Sequence, residues 1–157
     1  MKNILKLVIA VIGCELVGIA ATPFTLAAIP TWYQTLNKPS FSPPNNLFGP
    51  VWTLLYLFMG ISAYLIWKKG VKNKTVKTAL TYFLIQLGLN FLWSLLFFGL
   101  HSPLLAMVDI AALWIFIFIT ITQFAKIDKT ASYLLIPYLL WVSFAAILNL
   151  SIVTLNP

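Results

Sequence analysis

Five long apolar runs, joined by links that are short and polar with one exception, set the pattern of this chain. They fall at about 4–22, 47–67, 79–99, 103–124 and 132–155, each close to or above the roughly 20 residues that span a bilayer as helix. The pattern predicts an all-α integral membrane protein. Its architecture is a five-transmembrane-helix bundle forming one domain over residues 1–157, with residues 23–46 as a lid between the first two helices. Lys2 and Lys6 ahead of the first run imitate a secretory leader, but the run is long for one and contains Glu15, so it reads as a retained helix. No repeat or domain boundary interrupts the series, and an odd number of spans does not divide into two equal transporter halves.

Polar groups at membrane depth carry the information, because each is costly against lipid. Glu15, Gly18 and Thr22 share one stripe of the first helix, either as a packing seam around a hydrogen-bonded acid or as a proton or ligand contact. Trp52, Tyr56 and Met59 share a face of the second helix. Gln86, Asn90, Trp93 and Phe97 do so on the third, where the amides either tie helices together or wall a cavity. Asp109 lies about two turns into the fourth helix with no lysine deep enough to pair with it, which leaves hydroxyls and amides such as Asn90 and Asn149 to hold it. Tyr138, Trp141, Ala145 and Asn149 form the stripe of the fifth, with a recess at Ala145 and a kink expected at Pro137. Each stripe alone also reads as ordinary core. Together, three of them turn aromatic and amide groups toward the half of the membrane beneath the lid.

The long link supports that reading. From Trp32 to Trp52 the chain runs WYQTLNKPSFSPPNNLFGPVW, with two Trp, one Tyr, two Phe and four Pro. Pro39, Pro43, Pro44 and Pro50 each fix φ and remove a backbone donor, so the segment cannot simply extend a flanking helix. Large flat side chains on a stiff strap suit a cover over an apolar cavity better than a solvated tether. Trp52 ends this strap rather than starting a loop, so a membrane-interface belt does not by itself account for it, and Trp32 reads as an interfacial anchor.

Composition excludes a soluble domain: 61% of residues are hydrophobic and 8% charged, with a mean hydropathy of +0.96, where soluble domains carry roughly 25% charged residues. All ten basic residues are lysine. Nine fall at the N-terminus or in the links after the second and fourth runs, and Lys38 alone lies on the opposite face. That asymmetry predicts a cytoplasmic N-terminus with the lid and C-terminus outside, and it speaks to anionic headgroups rather than to nucleic acid. Cys14, the single cysteine, can form no intrachain disulfide and reads as packing. His101, the single histidine, reads as incidental at a helix end. No metal-ligand cluster, nucleophile–base pair or phosphate-binding glycine loop is present, so the pattern describes a binding pocket for something large, flat and mostly apolar before it describes a catalytic site.

The sequence resembles the translocator protein family, also called peripheral-type benzodiazepine receptors or tryptophan-rich sensory proteins, and in particular its bacterial members. The resemblance covers nearly the whole chain. It rests on WYQTLNKPSFSPPNNLFGPVWTLLY, QLGLNFLWSLLFFG, MVDIAALW and IPYLLWVSFAAILN, in that order. It implies a homodimeric five-helix receptor in the lipid bilayer that binds porphyrins such as protoporphyrin or heme, sterols, and isoquinoline- or benzodiazepine-type ligands, with no obligatory cofactor and no metal site. Matching positions place Tyr33, Pro43 and Trp52 over the pocket, Gln86 and Asn90 on its third-helix wall, and Trp141 and Ala145 on its fifth, with Glu15, Asp109 and Asn149 as possible polar support. The family's sterol pattern needs a basic residue after its tyrosine, and none follows Tyr138.

Three functions compete on this basis. A porphyrin-binding receptor or sensor leads, since stacking on Trp52 and Trp141 supplies affinity. Light-dependent porphyrin degradation, which the resemblance suggests for some bacterial members, would make those same two tryptophans catalytic. A porphyrin or sterol transporter, coupled through Glu15 and Asp109, is third, because five helices without broken segments give little machinery for alternating access. Gly88 and Gly99 are candidate dimer contacts.

Overall fold

The computed structural model describes residues 2–157. Helix α1 (Asn3–Ala28) leads into a strap containing short 3-10 turns at Tyr33–Thr35 and Asn45–Leu47. Then come α2 (Phe48–Trp67), α3 (Lys74–Ser94), α4 (Pro103–Ala125), the short α5 (Lys129–Leu134) and α6 (Ile136–Leu155). Five helical segments, the last made of α5 and α6, are long and apolar enough to cross a membrane. The chain is a multi-pass membrane protein, and its helices form the expected five-helix bundle.

The boundaries depart from the apolar runs in three places, each for a physical reason. The first helix passes through Pro23 to Ala28, so the strap spans 29–46 rather than 23–46. Proline removes one helical hydrogen bond, but ending there would leave the next five residues with unpaired backbone in a setting without water. The third helix starts at Lys74, ahead of its apolar run, because the Asn73 side chain accepts from the Thr75 N–H at 2.9 Å and caps a polar first turn. The fifth span begins at Lys129, capped by Asp128, and is interrupted at Leu135, two residues ahead of the expected kink at Pro137, which falls in the first turn of α6.

Two glycines weld α1 to α2. A methyl group built on Gly60 would sit 2.5 Å from the Val11 Cα, and one on Gly18 would sit 2.5 Å from the Tyr56 ring. Without side chains there, the two helices close at van der Waals contact near their middle. The two glycines singled out on α3 and its extension differ. Gly88 is open, on an apolar groove it shares with Leu16, Val17 and Ala20, whereas Gly99 is packed within the chain, 3.3 Å from Phe24 by the same construction. At its end, α3 widens into one π-helical turn over Leu95–Gly99, and His101 then takes a left-handed φ of 52° that lets the chain reverse into α4 within three residues.

Candidate functional site

In the half of the bundle beneath the strap, α1, α2, α3 and α6 enclose a cavity of about 410 Å³. Its aromatic walls come from Trp52 and Tyr56 on α2, Trp93 on α3 and Trp141 on α6, while Tyr33 of the strap closes the top. Ala145 forms the recess beside Trp141, one turn along the same helix. Asn45 and Asn46 line the cavity beside the start of α2 and are exposed. Glu15 lines it from the middle of α1.

Behind this surface runs a continuous polar chain. The Tyr56 hydroxyl donates to Asn90 Oδ1 at 2.6 Å, Asn90 Nδ2 donates to the Tyr138 hydroxyl at 2.8 Å, and that hydroxyl donates to Gln86 Oε1 at 2.7 Å. The chain ties α2, α3 and α6 together at membrane depth, where an unmade bond is costly. A second set ties α3, α6 and α4: Trp93 Nε1 donates to Asn149 Oδ1 at 2.9 Å, and Asn149 Nδ2 donates to the Pro103 carbonyl at 2.9 Å. Asn90 therefore both supports the bundle and lines the cavity. Its Nδ2 has one further N–H beyond the bond to Tyr138.

These bonds sort the expected residues. Tyr33, Trp52, Asn90, Trp141, Ala145, Glu15 and Asn149 all line the cavity. Gln86 does not; it is 1% exposed and lies behind the wall as the terminal acceptor of the polar chain. Pro43 is half-buried within the strap and lies outside the lining. Asp109 is also outside it, and the partners expected for it are engaged elsewhere: Asn90 with the two tyrosines, Asn149 with Trp93 and Pro103. Both of its buried carboxyl oxygens lack a hydrogen-bond partner among the described residues. Tyr56 and Trp93 were legible as members of the aromatic stripes turned toward the lid, but they were not among the residues assigned individually to the pocket. Asn45 and Asn46 carried no signal beyond their place in the strap.

The strap is fastened at several points along its length. Tyr33 packs on Phe98 with ring centroids 5.7 Å apart, and Lys38 Nζ lies 4.6 Å over the Tyr33 ring while donating to the Tyr33 carbonyl at 2.9 Å. Burial pushes the Tyr33 phenol above its ordinary range, opposed by a hydrogen bond with Ser42. Trp32, expected as an interfacial anchor, stacks on His101 at 4.6 Å and 9°. Farther along, the Asn37 N–H donates to Asn156 Oδ1 and Asn156 Nδ2 donates to the Asn37 carbonyl, both at 2.9 Å. Phe41 meets Phe144 of α6 edge-on at 6.2 Å, and Phe48, at the start of α2, meets Trp141 at the same distance. The cover is thus preformed and pinned to α6 and to the C-terminal end of the chain.

Residues 10–155 match the model of the TspO/MBR family. The chain is 47% identical over 156 residues to tryptophan-rich protein TspO of Chlorobaculum tepidum, covering 99% of both chains. It is 49% identical over 154 residues to the protein of the same name from Archaeoglobus fulgidus, covering 98% of this chain and 99% of the other. Similarity extends to the human translocator protein, at 38% over 120 residues, 75% of this chain and 70% of that one. With the family match spanning all five helices and both sides of the cavity, this chain belongs to the TspO/MBR family.

Proposed function

We propose that this chain is a membrane receptor or sensor whose ligand is a porphyrin, or a similarly flat and mainly apolar molecule, held in the cavity beneath the strap. The observation that carries the reading is the wall itself: three indoles and two phenols around about 410 Å³, a volume within the range of small-molecule sites, with only a few polar groups among them. Ring faces of Trp52 and Trp141 would supply stacking and the free N–H of Asn90 one directional bond. The lining offers a macrocycle aromatic faces, and it offers a bound iron neither imidazole nor sulfur. It therefore fits recognition of the ring rather than ligation of its metal. The lysine distribution supports an orientation with the strap outside, where ligand would arrive.

Titrating the detergent-solubilised chain with protoporphyrin tests this reading. Tryptophan fluorescence should be quenched to saturation, and Trp141→Ala should weaken binding about tenfold, the effect of losing roughly 1.4 kcal/mol of ring contact. Saturable binding that neither Trp52→Ala nor Trp141→Ala alters would contradict it. A second reading, light-dependent degradation of the bound porphyrin, is favoured by one observation: Trp52 and Trp141 both face the same cavity, so either indole would be within reach of an excited ring. Loss of porphyrin absorbance under illumination, absent from the Trp52→Phe, Trp141→Phe double variant, would support it.

A further inference from the structure

Glu15 is an intramembrane acid that the porphyrin reading leaves unused. It is 12 residues from the start of α1 and 13 from its end, so a rise of about 1.5 Å per residue puts it roughly 18 Å from one end and 20 Å from the other, close to mid-bilayer. Its side chain lines the cavity and is half-buried. It takes part in none of the hydrogen bonds within the described residues, and no lysine lines the cavity. Asp109, the other acid at membrane depth, is sealed away from the cavity, so it has no comparable access to a ligand.

The surroundings of Glu15 are specific. Gly18, one turn along α1, packs against the Tyr56 ring, and Trp52 continues that aromatic face with its ring 5.7 Å from Tyr56. The Tyr56 hydroxyl is committed to Asn90 as a donor. A carboxylate at this depth is expensive unless something pairs with it, and the described residues put no cation in the cavity. Hydroxyls and amides would serve for a neutral polar ligand; an acid that gains its charge when a cation pairs with it, beside an aromatic wall, is the chemistry that selects a positive one.

We propose that the cavity is also a site for flat aromatic cations, with Glu15 pairing the charged nitrogen at the inner end and the adjoining Trp52 and Tyr56 rings forming one aromatic wall beside it. Its ligand class is therefore planar amines protonated at neutral pH. When ionised, the same acid disfavours an anionic group at the inner end. A dicarboxylate ring would then enter with its acids toward the strap, where Asn45 and Asn46 line the wall. The inference rests on the cavity and on Glu15, not on porphyrin being the ligand.

Two probes of nearly one shape test it: 9-aminoacridine, a cation at neutral pH, and acridine, which is neutral there. Each is titrated into the full-length protein in a non-ionic detergent, following tryptophan quenching. Wild type should bind the cation about tenfold or more tightly, as expected for a hydrogen bond to a charged group. Glu15→Gln should abolish that preference, while Glu15→Asp should retain part of it. Equal binding of both probes to wild type overturns the proposal without requiring any variant to fold, and a preference that survives in Glu15→Gln overturns it as well. A parallel protoporphyrin titration separates the two readings: cation preference without porphyrin binding would sink the proposed function and leave this one standing.

Discussion

At the residue scale, the sharpest distinction is between Asn90 and Gln86. One turn apart on α3, they occupy the same stripe; helical spacing alone leaves a tie between helices or a cavity wall open for both, and the family resemblance assigns both to a ligand wall. The structure sends them to different tasks because Gln86 lies one turn farther from the strap end of α3: Asn90 reaches the cavity while Gln86 ends a buried chain that begins at Tyr56. Tyr138→Phe removes one hydroxyl from the middle of that chain and leaves Gln86 Oε1 and one Asn90 N–H without partners. It should cost about 1–2 kcal/mol, near the upper end of what interhelical hydrogen bonds contribute in membranes. Gln86→Leu should lower the thermal midpoint but leave ligand affinity within a factor of about two, whereas Asn90→Leu should reduce both. Thermal unfolding in detergent, with ligand titration of each variant, checks the pair; a Gln86→Leu protein of normal stability and lost affinity would reverse the assignment. Asp109 teaches the same lesson. Its depth was readable, but where Asn90 and Asn149 spend their amides depends on contacts between helices distant in sequence.

At the element scale, the five helices were legible because each must hide its backbone from lipid for its full length, which forces long apolar runs. Their ends were less so. Pro23 looks like a stop and is crossed, and Lys74–Thr78 looks like a link and is helix, since helix bounds follow hydrogen-bond partners rather than hydropathy. Pairing of elements was only partly visible. Gly18 was readable as a point of close approach, but its contact with Tyr56, and that of Gly60 with Val11, needed the fold. Gly60→Ala pushes a methyl group against backbone rather than a flexible side chain, so α1 and α2 must separate. It should destabilise by about 1–3 kcal/mol, while Gly88→Ala, facing open space, should change the thermal midpoint little. The strap makes its own prediction. Asn156→Ala removes two of the three hydrogen bonds that hold Asn37, leaving only Asn37 Nδ2 to the Leu155 carbonyl, at a site away from the aromatic walls. Loosening there should speed ligand dissociation several-fold by stopped-flow while changing the thermal midpoint by less than Gly60→Ala does.

For the whole molecule, the picture is of a bundle fastened in two ways around one cavity. Its lower half is closed by glycine-mediated contact between α1 and α2, and its upper half is held open around aromatic side chains and roofed by a strap anchored to α6. The proline-rich composition announced a rigid cover, and the aromatic stripes announced what it covers. The cavity's volume and its acidic inner end emerge only when four helices and the strap are brought together. The central claim is that ligand sits under the strap rather than on the lipid-facing surface, where the groove around Gly88 is the obvious competitor. The most direct measurement is photolabelling with a diazirine-bearing porphyrin, followed by peptide mapping. Labels on the segments carrying Trp52, Trp93 and Trp141, displaced by unlabelled porphyrin, are the predicted result. Displaceable labelling confined to Leu16–Ala20 and Leu84–Gly88 would contradict the account.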